Sequence, residues 1–151
     1  MKVKCLLACL FIAVPVFLPA QTAQAIEEIL ATRAVSNQQA AWLVLEAAGV
    51  SYRGDAFRHA AEQGWLTGGA NDRIRLDQAC LLIMRAFDMR GGLFYSLTGS
   101  AHYAYRELTY LNVIQERSVP GMEVSGELLL FMTGRILSQF EDEIAIPERG
   151  L

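Results

Sequence analysis

The 151-residue chain predicts an all-α fold, one domain of about five helices behind a cleaved signal peptide. Apolar residues recur at helical spacing in five segments between capping, glycine and turn residues, and no convincing period-2 strand occurs anywhere. Two kinds of segment also recur in a fixed order along the chain. The composition, 53% apolar and 19% charged with a formal charge of −3, belongs to a globular protein and excludes a disordered tail or a basic nucleic-acid binder.

Lys2 and Lys4 precede an apolar run from Cys5 to Leu18, which a small-residue site, Ala23-Gln24-Ala25, follows. That pattern marks residues 1–25 as a secretory signal peptide. The run is 14 residues long, short of the roughly 20 that a membrane-spanning helix needs. No second run follows, so no transmembrane helix is expected in the mature chain. Cys9 stands too close to Lys4 for a lipid-attachment signal, because the apolar stretch between them is too short.

Cleavage after Ala25 leaves residues 26–151, with 11 arginines against 16 acidic residues, a charge of −5 and no lysine. Cys80 remains as the single thiol, so no internal disulfide forms and stability rests on the hydrophobic core. Set in Ala79-Cys80-Leu81-Leu82-Ile83, that thiol reads as a small core residue.

Residues 26–34 read as a linker or helix lead-in. From Ser36 to Gly49 the chain forms a first helix, with Ser36 and Gln39 as a capping box. Its few polar positions, Asn37, Gln38, Gln39 and Glu46, predict a central or interface helix. Asp55 and Gly64 bound a second helix, and Trp65-Leu66 folds back after a left-handed stop. TGGANDR, residues 67–73, is turn chemistry. A third helix runs from Leu76 to about Met89, burying Ala79, Cys80, Leu82, Ile83, Ala86 and Phe87, and Gly91-Gly92 ends it. After a glycine-bearing loop, a fourth helix spans Ser100 to Asn112. A fifth starts at Ser125 and carries Leu128 to Met132, Ile136, Leu137 and Phe140. Glu141-Asp142-Glu143 opposes the dipole at its end, which predicts fraying and a mobile acidic tail over 141–151.

The first, third and fifth helices match one another, as do the second and fourth. Val35-Ser36, Ile74-Arg75 and Val124-Ser125 open the first kind. Ala40/Ala79/Leu129, Trp42/Leu81/Phe131 and Ala47/Ala86/Ile136 then take equivalent core positions. In the second kind, Phe57-Arg58 matches Tyr105-Arg106 and Gly64-Trp65-Leu66 matches Asn112-Val113-Ile114. Asparagine is a common substitute for glycine where the backbone turns left-handed. The chain thus reads as two and a half copies of one unit over residues 35–140.

This order of segments resembles the S-layer homology repeat, in which a helix opened by a threonine, arginine, alanine, glutamate motif alternates with a shorter one. The matching residues are Val35 to Ala40, Ile74 to Ala79, Val124 to Glu127, His102-Tyr103-Ala104-Tyr105 and Gly64 to Gly68. The resemblance implies a helical bundle that docks onto acidic cell-wall polysaccharide. The chain departs from it at the motif arginine, replaced by Asn37, Leu76 and Gly126, and at the motif glutamate, replaced by Gln39, Gln78 and Leu128. These departures turn the expectation from glycan toward an envelope protein partner.

Arg58 and Arg106 are equivalent, with Arg73, Arg75 and Arg117 in or beside the equivalent loops. They are candidates for a groove that meets acidic sugars or carboxylates, or else surface partners of Glu62, Glu107 and Glu116. Trp65, Tyr103 and Tyr105 suit stacking on sugar rings or packing in the core. His59 and His102 belong to different units and lack further ligands, so neither a metal nor a cofactor is expected. Glu46, Glu107 and Glu127 are the carboxylates of the alternative reading, a small cell-wall glycan hydrolase with a single general acid. Gly126 and Gly134 cost about 1 kcal/mol each in a helix, which points to close approach of another helix. The half unit at the C-terminus leaves the fifth helix with a face for a second copy or a partner. The expectation is an exported, non-catalytic envelope protein of the periplasm or cell surface.

Overall fold

A computed structural model of the chain describes residues 18–114 and 118–144, with side chains from 22 onward to 139. Most of the expected signal peptide, Arg117 and residues 145–151 of the acidic tail lie outside the described residues. Within them are seven helices and no strand. They are α1 (Leu18–Leu30), α2 (Asn37–Ala47), α3 (Ala56–Glu62), α4 (Leu76–Ala86), α5 (Leu93–Thr98), α6 (Ala101–Tyr110) and α7 (Gly126–Ile144).

The caps read from the sequence are in place. Ser36 accepts from the Gln39 N–H, and the Gln39 side chain accepts from the Ser36 N–H, completing the capping box of α2. Asp55 caps α3 through the Arg58 N–H at 2.8 Å, and Ser125 accepts from the Leu128 N–H at 3.2 Å in the first turn of α7. Gly64 and Asn112 both take left-handed backbone, φ 71° and 55°, so the glycine-to-asparagine match holds in three dimensions. After each, two apolar residues fold back: Trp65 half-buried and Leu66 buried, then Val113 and Ile114 buried.

Helices α2, α4 and α7 start from a common ring. The Val35 N–H donates to the Val124 carbonyl at 2.8 Å, Ile74 to Val35 at 2.9 Å and Val124 to Ile74 at 3.2 Å. A second tier repeats the pattern two residues on, where Asn37 donates to Asp72, Leu76 to Met122 and Gly126 to Thr32. Val35, Ile74 and Val124 are fully buried, and water cannot compete for these groups. Each of these three helices then pairs with a shorter one: α2 with α3, α4 with α6 and α7 with α1.

The α1–α7 pair corrects the picture of the N-terminus and of the C-terminal half unit. The segment over 26–34 is helical as far as Leu30 and packed, with Ile29 buried at 3% exposure. A methyl group at Gly126 would coincide with the Ile29 carbonyl oxygen, so the bare glycine admits this approach. The neighbour that the sequence could not assign is thus the chain's own first helix. Gly134 has nothing within 4 Å of its would-be Cβ, and its face of α7 is open. Every buried core residue among those described lies at or beyond Ile29, so a chain beginning at Ile26 keeps the whole of that core.

Three further expectations change. Seven helices replace about five, because α1 forms across the expected cleavage site and α5 forms in what read as a glycine-bearing loop. Trp42 and Leu81 are only half-buried and Phe131 is 43% exposed, so that equivalent position flanks the core instead of filling it. Finally, α7 continues through the acidic triplet to Ile144.

The two glycines of α7 should separate cleanly on substitution. Gly126→Ala is expected to destabilise the fold by about 2–3 kcal/mol through overpacking against backbone. Gly134→Ala should be neutral or stabilise by up to about 1 kcal/mol. Urea denaturation of both variants tests this, and equal effects would refute the α1–α7 packing.

Candidate functional site

The positions where the family resemblance calls for an arginine are all turned into the fold. Asn37 is 1% exposed, and its amide donates to the carbonyls of Thr67 at 3.2 Å and Gly69 at 2.9 Å. It thereby fixes the turn at 67–69 against the start of α2. Its Oδ1 is buried without a hydrogen-bond partner. Leu76 is fully buried and Gly126 lies under Ile29. Of the motif-glutamate positions, Gln39 completes a cap and the Gln78 amide donates to the Thr67 hydroxyl.

The candidate arginines do not converge on one groove. Arg58 pairs with Glu62 on the exposed side of α3, with a separation of 3.5 Å. At the seams between units, Arg73 meets Glu123 at 3.0 Å and Arg75 meets Asp77 at 2.6 Å. Antiparallel bridges join Ser36 to Arg73 and Arg75 to Glu123 at the same seams. The Arg58 and Arg73 pairs are exposed at both ends and contribute about 1 kcal/mol or less, whereas the Asp77 carboxylate is buried and has Arg75 as its ion-pair partner.

The aromatic candidates form two clusters. Around α3, the His59 ring stands edge-on to Trp65 at 5.8 Å and tilted to Tyr52 at 6.2 Å, with Trp65 half-buried. Around α5 and α6, Tyr103 stacks on Phe94 at 5.5 Å, with His102 edge-on at 5.4 Å and the Arg106 guanidinium 6.0 Å from its ring centroid. Tyr103 and Arg106 are therefore the two sequence candidates brought together. Tyr105 instead serves the fold, being half-buried and donating its hydroxyl to the Ser118 carbonyl at 2.8 Å.

Sequence reasoning missed Phe94 and the rest of α5. The signal was one of length. Asn37 to Gly64 spans 27 positions, whereas the matching stretch from Leu76 to Asn112 spans 36, nine more, and α5 lies within that excess.

The carboxylates are dispersed. Glu46 and Glu127 are exposed and Glu107 is half-buried. Glu46 accepts a 2.7 Å hydrogen bond from the Tyr52 hydroxyl, and burial, this bond and the Glu46 charge push the Tyr52 phenol up to about 12. The Asp55 carboxyl is held below the usual range by the Gln38 amide at 2.5 Å, then by the Arg58 N–H. Burial, then the Asp77 carboxylate, drive the Cys80 thiol far above its ordinary value, and a thiol in that state is a poor nucleophile. Among the described residues, no three His, Cys, Asp or Glu side chains gather where they would hold a metal ion.

No protein-family model matches the chain, and no curated protein or solved structure is significantly similar to it.

The Tyr52–Glu46 contact is measurable. Glu46→Gln should bring the Tyr52 ionisation down from about 12 toward the ordinary 10.0, visible as one tyrosinate appearing earlier in an alkaline absorbance titration. The raised value makes the neutral phenol the form the fold favours, so this contribution to stability is whole below pH 10 and fades above it. An unchanged titration would leave burial, with the Asp55 charge, as the cause.

Proposed function

We propose that this chain is an exported, non-catalytic docking module of the bacterial cell envelope, built on divergent S-layer-homology-like units, which binds an envelope protein. One observation carries the choice of a protein over acidic glycan. The three positions at which the resemblance calls for a ligand-binding arginine hold Asn37, Leu76 and Gly126, all buried and committed to packing within the chain. A polyanionic glycan needs guanidinium groups free to form bidentate contacts. Of the candidate arginines described, Arg58, Arg73 and Arg75 are instead paired with carboxylates, which leaves Arg106 as the one without an ion pair.

The ring of like helix starts supports the repeat reading, and the signal-peptide pattern of residues 1–25 supports export. In the mature protein Ile26 would be the first residue, with Ile29 already inside the core. No helix among the described residues is long and apolar enough to cross a membrane, so export would leave the domain in the periplasm or at the cell surface.

Co-sedimentation of the mature chain, Ile26 to Leu151, with cell-wall sacculi before and after acid removal of secondary polysaccharide tests this reading. The expected result is no sedimentation with either preparation, together with a discrete protein adduct on cross-linking in cells. Sedimentation that disappears with the polysaccharide would restore the glycan anchor.

A further inference from the structure

The excess residues of the second unit build a surface that has no counterpart in the first. α5 turns Tyr95 inward at 5% exposure and leaves Leu93, Phe94 and Leu97 at 71%, 61% and 74%. Spaced i, i+1 and i+4, these three share one face of the helix. Large apolar groups this open, grouped on one turn, mark a contact surface.

Their charged surroundings are unlike those of the other arginines described above. Arg106 lies over Tyr103, which stacks on Phe94. The Arg85 guanidinium sits 5.5 Å over the Tyr95 ring and reaches Gly99, where α5 ends. Arg90 is exposed three residues before Leu93. None of these three forms an ion pair among the described residues, whereas Arg58, Arg73 and Arg75 do. The carboxylates close by are Asp88 and Glu107, whose Oε1 lies beside Gly92. Three guanidiniums against two carboxylates leave this end positive in a chain whose overall charge is −3.

Area and shape then select the occupant. These three side chains are a small part of the roughly 20–30 residues, about 800 Å² per partner, that a stable protein interface uses. They also project, so a protein partner would need a hollow shaped to receive them. A bilayer surface needs no matched shape, and its hold grows with buried apolar area and with attraction between basic groups and anionic headgroups. We propose that α5 is a membrane-contact element. Leu93, Phe94 and Leu97 enter the boundary between headgroups and acyl chains of an anionic lipid surface, and Arg85, Arg90 and Arg106 meet its phosphates. This contact goes beyond the docking reading and does not depend on it, since it uses a different surface and a different ligand.

The test is flotation of the mature chain with vesicles of phosphatidylcholine, alone or with about one third phosphatidylglycerol, at moderate salt where screening is incomplete. Binding to the anionic vesicles is expected to be at least tenfold tighter than to the neutral ones. The triple variant Leu93→Ser, Phe94→Ser, Leu97→Ser should lose it tenfold or more, and Arg90→Gln with Arg106→Gln should weaken it several-fold. A Leu97→Cys variant carrying a polarity-sensitive dye, with Cys80 buried and unlabelled, should shift to the blue on the same vesicles without any change to the rest of α5. No binding by the unmodified chain, full binding by the triple variant, or a dye that stays in water would each overturn the proposal. So would a lipid-free dimer in sedimentation velocity that the triple variant abolishes, because the face would then belong to a second copy.

Discussion

Three backbone hydrogen bonds, closing a ring through Val35, Ile74 and Val124, are the constraint on which the rest of this structure depends. They fix where α2, α4 and α7 begin, and the second tier at Asn37, Leu76 and Gly126 satisfies one N–H at the start of each helix. A ring of this kind tolerates little at its centre. The residues just inside it must be small, apolar or internally bonded, which accounts for Gly126, for the wholly buried Leu76 and for the amide of Asn37. It also joins parts of the chain as distant as positions 35 and 124, so its closure entropy falls on long loops.

α7 takes its shorter partner from the chain's beginning. α2 has α3 and α4 has α6, but nothing described after α7 folds back onto it, and α1 takes that place through Ile29 and the Thr32 carbonyl. The two ends of the domain are thereby obliged to meet. The cleavage point expected from the sequence, between Ala25 and Ile26, precedes the first residue of the buried core, so cleavage there would leave the closing contact intact.

What the sequence made legible was local. The Ser36 capping box, the Asp55 cap, the left-handed stop at Gly64 with its match at Asn112, and the buried stripe Ala79, Cys80, Leu82 and Ile83 each follow from chemistry within a few residues. What stayed hidden depended on distant partners. Ile29 is one apolar residue after an apolar leader, and nothing local shows that Gly126 awaits it. Phe131 aligns with Trp42 and Leu81, yet alignment transfers position along a helix and not the neighbour that covers it, and among the described residues Phe131 is left 43% exposed. α5 follows Gly92, which has no side chain to cap with, so its start carries none of the signals that announced α2 or α3. The arginines were legible as charge, while their division into carboxylate-paired and aromatic-stacked sets was set by the fold.

That division bears on where such a domain can carry a function of its own. Corresponding positions at the starts of α2, α4 and α7 are taken by the ring and its second tier, and any group placed there faces another helix start before it faces a ligand. Distinct surfaces arise where the units differ. The stretch from Leu76 to Asn112 exceeds that from Asn37 to Gly64 by nine residues, and the excess is held in place by close packing, since side chains at Gly91 and Gly92 would run into Tyr95 and Glu107. A loop free to move would need no such fit. An element anchored by Tyr95, with Leu93, Phe94 and Leu97 held outward, keeps its apolar groups exposed at a standing cost in hydration. The packing prevents α5 from collapsing to hide them, and an external apolar phase is what would offset that cost.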